Sequence, residues 1–346
     1  MATTYAIPDG RVAMAATLWT GNNATQSISN AVNGVSFQPD LVWVKDRSVA
    51  RSNWLMDSVR GTLAYLSSNS TGSESNSATA VTALNTNGFS VGTDVNFNAS
   101  TETYVGWQWK AGGTAVSNTA GSITSSVSAN TTAWFSVVSF TGLNTGGTAA
   151  TMGHGLGVAP SFIIIKNRGV VDGWYCYHAS LGNTAYILLN TTAAQQTPTN
   201  LWTSTSPTST VFTLRQGNLN TSTSENLIAY CFAPVAGYSA FGSYTGNGSS
   251  DGPFIYTGMR PRWILVRSTG SADWYTWDSS RNTYNLVADM LRPNIANAEL
   301  NSSTYVFDFV SNGFKVRGAG SEINSSGVTY IYACFAENPF KYANAR

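Results

Sequence analysis

Two histidines, His154 and His178, are the side chains best suited to general-base or metal chemistry in this sequence. No carboxylate or cysteine stands beside either of them at metal-ligand spacing, and a working site needs several convergent groups. We therefore interpret His154 as a turn residue next to Gly155 and His178 as a structural residue at the end of a strand. The histidines give no reason to predict a metal site or a catalytic base.

Asp57 and Asp278 are the acidic residues whose similar settings could supply a carboxylate pair for glycoside hydrolysis. Each follows a tryptophan, Trp54 or Trp274, and each precedes a serine. The two lie far apart in the chain, however, and an Asp at a strand end commonly accepts hydrogen bonds from its own backbone. We predict that the protein has no catalytic residue, no cofactor and no metal, and that it is not an enzyme.

Composition narrows the choice of partners. The 346 residues carry 18 Lys and Arg against 17 Asp and Glu, and only 10% are charged, compared with about 25% in ordinary domains. Near-neutrality excludes electrostatic capture of nucleic acid or of an anionic membrane as the main activity. The longest aliphatic runs, such as residues 162–165, are too short to be inserted across a bilayer. We expect no nucleic-acid partner and no membrane insertion.

The cysteines and the first residues indicate the compartment. Cys176, Cys231 and Cys334 are too few and too odd in number for a disulfide framework. Residues 1–20 lack a basic stretch followed by an apolar core, so they do not have the pattern of a secretory signal. We expect the chain to fold in a reducing cytoplasm.

The sequence repeats itself three times. Residues 39–45, 160–166 and 261–267 each contain a proline, a hydrophobic run and a final cation. A tryptophan, a strand that opens on phenylalanine and a closing aromatic strand follow in the same order. The landmark residues are Pro39, Trp54, Phe89 and Trp109 in the first copy; Pro160, Trp174, Phe212 and Phe232 in the second; and Pro261, Trp274, Phe314 and Phe335 in the third. The period of about 100–120 residues is that of a whole domain.

Each copy has the pattern of short strands bounded by Gly, Asn, Ser and Pro. The predicted fold class is all-β, with three tandem β-sandwich (jelly-roll-like) domains related by an internal repeat. We place an N-terminal attachment segment at 1–15, the sandwiches at 16–113, 131–237 and 238–346, and a Gly/Ser/Thr linker or solvated hairpin at 114–130. The landmark aromatic rings are expected between the two sheets of each sandwich.

Four aromatic residues on the strands of the second and third landmark tryptophans are candidates for a binding surface: Tyr175, Tyr177, Tyr275 and Trp277. Since they alternate with other residues along these strands, some of them should face solvent or a neighbouring subunit. Exposed rings beside Asn, Ser and Thr suit either a sugar-binding face or a subunit interface. We favour the interface, because exposed apolar patches usually indicate association.

Several motifs resemble a family of virion proteins of tailed bacteriophages that is common in aquatic phages. They are residues 121–130, 154–160 with 164–168, 242–252, and the C-terminal run 335–346. The likeness covers most of the chain from about residue 35 onward. It implies a structural component of the virion, fibre-like or tail-associated, and it brings no catalytic residues with it.

These observations lead to one expected function and two alternatives. We expect a non-enzymatic virion protein, a tail fibre or receptor-binding component, made in the host cytoplasm and displayed on the exterior of the tail or head. Its expected partners are copies of itself, preferably as a trimer, other virion proteins, and a host cell-surface glycan or protein bound through many weak contacts. The alternatives are a capsid decoration (cement or head fibre) protein and a glycan depolymerase, which would need paired carboxylates in one groove.

Overall fold

The computed structural model describes residues 6–142, 148–197, 200–215, 219 and 225–336. Within these ranges the chain is all-β, as predicted, and its sheets are antiparallel. The helical segments found there are single turns: η1 (Gly10–Val12), α1 (Val95–Asn98) and α2 (Ser321–Asn324). No helix in this described part is long and apolar enough to cross a membrane.

The first unit comprises the strands between residues 14 and 109. They are β1 (Met14–Thr20), β2 (Gln26–Ser29), β3 (Leu41–Asp46), β4 (Trp54–Asp57), β5 (Gly61–Ser67), β6 (Ser75–Asn76), β7 (Val81–Asn85), β8 (Gly88–Val91) and β9 (Thr103–Trp109). A large sheet has the order β1-β9-β3-β4-β5-β6. A small sheet, β2-β8-β7, covers one face of it.

The second unit comprises the strands between residues 116 and 232. They are β10 (Val116–Asn118), β11 (Ser125–Asn130), β12 (Phe135–Thr141), β13 (Ala149–Gly153), β14 (Phe162–Asn167), β15 (Trp174–His178), β16 (Ile187–Leu188), β17 (Val211–Arg215) and β18 (Asn226–Phe232). The large sheet has the order β10-β11-β12-β18-β14-β15-β16, and the small sheet is the pair β13-β17.

The third unit comprises the strands between residues 239 and 336. They are β19 (Ser239–Thr245), β20 (Phe254–Tyr256), β21 (Pro261–Ser268), β22 (Trp274–Asp278), β23 (Asp289–Met290), β24 (Leu300–Asn301), β25 (Phe307–Val310), β26 (Gly313–Val316) and β27 (Thr329–Ala336). The large sheet is β19-β27-β21-β22, the small sheet is β20-β26-β25, and β23 pairs with β24.

A four-strand core recurs in the large sheets. Its order is β1-β9-β3-β4 in the first unit, β12-β18-β14-β15 in the second and β19-β27-β21-β22 in the third. The register recurs too, since the pairs Leu41–Asp57, Phe162–His178 and Trp263–Asp278 stand at the same place in the three sheets. This is the pattern that the predicted internal repeat would give, and it defines equivalent positions in the three units.

Each unit has its own outer core, and all three share an inner one. The outer cores lie between the large and the small sheet and contain Phe89, Phe212 and Phe314, respectively. The opposite faces of the three large sheets pack against one another in the shared core. At its centre the closing residues Trp109, Phe232 and Phe335 are mutual neighbours, with ring centroids 6.2, 5.7 and 5.7 Å apart. The three sandwiches therefore form one packed body.

Burial on both faces explains the character of the central strands. Successive side chains of a strand point to opposite faces, so along β3 Leu41 and Trp43 enter the shared core while Val42 and Val44 enter the outer core. A strand covered on both faces reads as an unbroken hydrophobic run instead of an alternating one. The β-rich run that follows each landmark proline has this character.

The structure corrects the expected position of the landmark aromatic rings. Phe89, Phe212 and Phe314 do lie between the two sheets of their own unit. The prediction was wrong for five others, which lie in the shared core because they are on the opposite face of their strands: Trp109, Trp174, Phe232, Trp274 and Phe335. One core built from three sheets could not be read from the pattern of a single copy.

The equivalence of Trp54 with Trp174 and Trp274 is also wrong, by one residue. Trp54 pairs with Val44, whereas Trp174 pairs with the cation Lys166 one position further along the equivalent strand. The true counterpart of Trp54 is therefore Tyr175. The ring of Trp54 packs against the outer core of the first unit. A shift of one residue turns a strand side chain to the other face of the sheet.

Two predicted boundaries need correction. The attachment segment 1–15 and the sandwich start at 16 cut through β1, and Ile7, Ala13 and Met14 are buried in the shared core. The proposed linker 114–130 contains β10 and β11, an antiparallel hairpin at the edge of the second large sheet, so the hairpin alternative describes it. Residues 1–5 of the attachment segment and residues 337–346 of the third sandwich lie outside the described residues.

Candidate functional site

The four candidate surface aromatics are not a surface cluster. Tyr177, Tyr275 and Trp277 are 4%, 3% and 0% exposed, so these three were wrong as candidates for an exposed ligand or interface surface. They lie in the outer cores, because the small sheets cover that face of β15 and β22. Tyr175 is partly buried, and its hydroxyl donates a hydrogen bond to Asp172 Oδ1 over 3.1 Å.

The two histidines are buried and structural in their contacts. His154 Nδ1 accepts a hydrogen bond from the Leu156 amide over 3.2 Å, inside the turn where the sequence placed it. His178 ends β15, and its Nδ1 accepts from the Ser180 amide over 3.1 Å. Burial lowers the pKa of both rings, and that of His178 to about 4. Both are therefore neutral at pH 7.

Asp57 links the first unit to the second. It is fully buried, and its Oδ2 forms an ion pair with Arg60 Nε over 2.5 Å. Its Oδ1 accepts from the Arg60 amide over 2.9 Å, which fixes the turn after β4. The hydroxyl of Tyr230, on the closing strand of the second unit, donates to Oδ2 over 2.9 Å. This buried carboxylate therefore joins two units.

Asp278 does the same between the third unit and the first. It pairs with Arg281 Nε over 2.6 Å, and its Oδ2 accepts from the indole nitrogen of Trp107 over 3.0 Å. Burial alone would raise the pKa of Asp278, but the charge of Arg281 and these hydrogen bonds hold it below the usual value. We call the contact between two neighbouring units a seam. Asp57 and Asp278 thus occupy equivalent positions in two different seams and do not form a catalytic pair.

His178 occupies the same position at the seam between the second and third units. Its Nε2 lies 3.1 Å from the backbone carbonyl oxygen of Tyr332, on the closing strand β27. Because Nδ1 accepts from Ser180, the proton of the neutral ring is on Nε2 and is donated to this carbonyl. One residue at one register position therefore closes each of the three seams in turn.

Buried cations join the units a second time. Lys45, Lys166 and Arg267, which end the three hydrophobic runs, are all 0% exposed. Each donates to a backbone carbonyl of a neighbouring unit: Lys45 Nζ to Ala296 over 3.1 Å, Lys166 Nζ to Thr71 over 3.2 Å, and Arg267 Nη2 to Ala193 over 2.7 Å. Burial lowers the pKa of Lys45 and of Lys166 to about 8. The sequence pattern includes these three cations at the ends of the hydrophobic runs, but it did not predict that they join neighbouring units.

An arm from each unit adds a third contact to its seam. The backbone amides of Glu74, Gln195 and Glu299 each donate to a carbonyl of the next unit, on Arg168, Thr269 and Arg47 respectively, over 2.8–2.9 Å. Two of these pairs also have ion pairs of 2.7 Å between their side chains, Glu74 with Arg168 and Glu299 with Arg47. The contacts run from the first unit to the second, the second to the third and the third back to the first, so they close a ring.

An open cleft of about 590 Å³ lies between the first and second units. Asp40 lines it, and its Oδ2 accepts from the amides of Ala111 and Gly113 over 2.7 and 3.3 Å. Burial raises the pKa of this carboxyl group. Lys110 is the other charged residue at the cleft. No cluster of three or more potential metal ligands occurs among the described residues. The cleft therefore lacks the convergent groups that chemistry requires.

Residues 248–252, Gly-Ser-Ser-Asp-Gly, have the Gly-x-Ser-x-Gly pattern. In serine hydrolases that pattern forms a tight turn between a strand and a helix. Here it lies in an exposed loop between two strands, β19 and β20. The arrangement does not present Ser250 as a nucleophile.

The outer face of the third small sheet carries two exposed large apolar side chains on one strand, and no other strand among the described residues does. Phe254 and Tyr256 on β20 are 48% and 70% exposed, while Ile255 between them enters the outer core. Opposite them on β26 stand Lys315 and Gly313. The sequence reading missed this pair because it considered only the strands of the landmark tryptophans.

Comparison with known families adds one match. The family described as "Domain of unknown function (DUF7483)" matches residues 12–339. The chain belongs to this family. A search of curated proteins and a search of solved structures each gave no match.

The extent of the family match agrees with the packing. A single match covers all three units, from just before β1 to just beyond β27. The shared core needs all three large sheets, because each of them contributes one of its faces. The domain that this family describes therefore corresponds to the complete ring of three sandwiches.

Proposed function

We propose that the protein is a non-enzymatic structural protein of a bacteriophage virion and, within the particle, a tail fibre or receptor-binding component. The observation that carries the proposal is the closed ring of seams. Its buried acidic, basic and histidine side chains join the three sandwiches to one another. These contacts hold the three sandwiches together as a rigid body, which suits a part displayed outside cells.

The ring gives a physical reason for durability. A unit cannot open without breaking two seams and exposing its face of the shared core. Proteases act on segments that open locally, so a body with few independent openings resists them. The low content of Lys and Arg further reduces the number of sites for trypsin-like enzymes. Particle proteins that meet the external environment need both properties.

The resemblance of residues 121–130, 154–160 with 164–168, and 242–252 to virion proteins of tailed phages supports the same proposal. In this proposal the chain is made in the host cytoplasm and displayed on the virion surface. Its partners are other virion proteins, further copies of the chain, with a trimer favoured, and a glycan or protein on the host cell.

The test is to locate the protein in purified particles of the phage that encodes it. Quantitative mass spectrometry should find the chain in intact particles at a few to a few dozen copies, and antibody-gold labelling should mark the tail. A chain that is made during infection but is missing from density-purified particles would overturn the proposal. A particle-free lysate fraction is the control for carry-over.

Capsid decoration is the second candidate, and the ring favours it specifically. Three related sandwiches around one core could occupy a threefold position in a capsid lattice. The same measurement separates the two roles, since decoration predicts hundreds of copies and labelling over the head. A few dozen copies confined to the tail would reject it.

A further inference from the structure

We propose that the outer face of the small sheet of the third unit, formed by β20, β26 and β25, is a carbohydrate-binding platform centred on Phe254 and Tyr256. This inference deepens the proposed function, on which it rests, by naming the site and the ligand class. The ligand would be a glycan whose sugar rings pack their apolar faces on the two aromatic rings.

The two rings are placed for this use. Both project from the outward side of β20, about 7 Å apart, which is the spacing of residues i and i+2 along a strand. Gly313 lies opposite Tyr256 and has no side chain to cover the face. The Phe254 ring comes within 3.1 Å of the point where a Cβ atom on Gly313 would stand. The Phe254 ring therefore lies close to Gly313 on the neighbouring strand.

Hydrogen-bonding groups border the rings. Lys315 faces Phe254 across the sheet and pairs with Asp251 over 2.7 Å. On the next strand Asp308 faces Lys315, and it pairs with Arg317 over 3.4 Å. Aromatic rings beside exposed donors and acceptors are what a sugar requires, since it has both apolar C–H faces and hydroxyl groups.

The other two units act as internal controls for this face. In the first unit the pairs at the same register are Ser27–Ser90 and Ser29–Gly88, and the inward pair Ile28–Phe89 matches Ile255–Phe314. In the second unit the outward positions hold Thr151 and Gly153. The inward residues of all three are apolar, so the fold requires those. The exposed rings occur in the third unit, and the fold does not require them.

The size of the face favours a glycan over a protein partner. Three strands about 4.8 Å apart and about three residues long present roughly 150 Å². A stable protein interface needs about 800 Å² on each side. A larger partner would have to extend onto the loop beside β25, where Tyr284 and Leu286 are 84% and 49% exposed. This difference can be tested directly.

The test uses the full chain and a glycan array of bacterial polysaccharide fragments and common hexose and N-acetylhexosamine oligosaccharides. The key variant is Phe254→Ser with Tyr256→Ser, which installs the residues of the first unit and should fold normally. Tyr284→Ser is the matched control, because it removes an exposed ring outside the platform. Circular dichroism and thermal melts establish that each variant is folded.

We expect the wild-type chain to bind at least one glycan class, the double variant to bind about tenfold more weakly or worse, and Tyr284→Ser to bind as the wild type does. Binding to no glycan, or equal binding by the folded double variant, would overturn the platform. Loss on Tyr284→Ser equal to that of the double variant would show that glycan binding is not centred on Phe254 and Tyr256 and would also overturn the platform. A chain found in virions that binds no glycan would reject only this inference and leave the proposed function standing.

Discussion

Acidification is expected to weaken the seam between the second and third units through His178. In the folded chain Nε2 donates to the Tyr332 carbonyl and Nδ1 accepts from the Ser180 amide, so both nitrogens are used by the neutral ring. Protonation of Nδ1 would place a second donor against an amide that is itself a donor. Burial also opposes a positive charge on the ring, so the pKa of His178 is about 4 in the folded chain instead of about 6.5.

The sign and size follow from proton linkage. Between pH 6.5 and 4 the unfolded chain binds a proton at this position and the folded chain does not, so stability falls as the pH falls. With folded and unfolded pKa values of about 4 and 6.5, moving from pH 7 to pH 4.5 removes roughly 2.4 kcal/mol from the free energy of unfolding. That is a large part of the stability of a typical protein.

Urea unfolding at several pH values measures this loss. His178→Gln keeps a donor and an acceptor in a neutral side chain, so its stability should fall by roughly 2.4 kcal/mol less than that of the wild type over the same interval. His154→Gln is the matched control and should retain the part of the loss that is due to His178. Carboxylates titrate alike in all three proteins and cancel in the differences. Parallel pH profiles for the wild type and His178→Gln would refute the reasoning.

Three further outcomes are expected. Trp107→Phe and Tyr230→Phe each remove the hydrogen-bond donor to one buried seam carboxylate, and each should lower the free energy of unfolding in urea by about 1–3 kcal/mol. Trp202→Phe is the comparison, because the indole of Trp202 donates within one unit. A cost below about 0.5 kcal/mol would show that these seams contribute little. Lys45 and Lys166 release their protons near pH 8 in the folded chain and near 10.5 when unfolded, so each contributes a rise in stability of roughly 2 kcal/mol between pH 8 and 10. The buried thiols titrate alike in the wild type and in Lys166→Met, so over this interval the stability of the wild type should increase by roughly 2 kcal/mol relative to that of the variant; parallel profiles for the two proteins contradict this. Burial raises the pKa of the thiols of Cys176, Cys231 and Cys334, so a thiol reagent at pH 8 should label none of them in the folded chain and all of them in urea; rapid labelling without denaturant would show that the seams open.

The fold class was predictable from the sequence because it depends on local patterns. The short β-rich runs ending at turn residues predict strands wherever they occur, and β3, β14 and β21 begin within two residues of the landmark prolines. The threefold recurrence of those runs also located the strands that form the centre of each sheet. Both inferences need only the order of residue types along the chain.

The shared core was not predictable in this way. A run such as that of β14 indicates burial on both faces, but it does not say which neighbour covers each face. The second cover comes from other units about a hundred residues away in the chain. For the same reason Tyr177, Tyr275 and Trp277 were chosen as candidates for an exposed surface, although small sheets built from distant strands cover them.

The residue types at the equivalent seam positions Asp57, Asp278 and His178 can be explained by the groups that they meet in the neighbouring units. The closing strands present Trp107, Tyr230 and Ala333 at equivalent positions opposite Trp43, Ile164 and Leu265. An indole or a phenol is a donor, and in both cases the residue that meets it is an aspartate. Alanine has no polar side chain, so the nearest polar group is the backbone carbonyl of Tyr332, an acceptor. An aspartate there would face a second acceptor, whereas a neutral histidine supplies the missing proton. The residue that looked most like a catalytic base therefore has the same structural role as the two aspartates, with the direction of its hydrogen bond reversed.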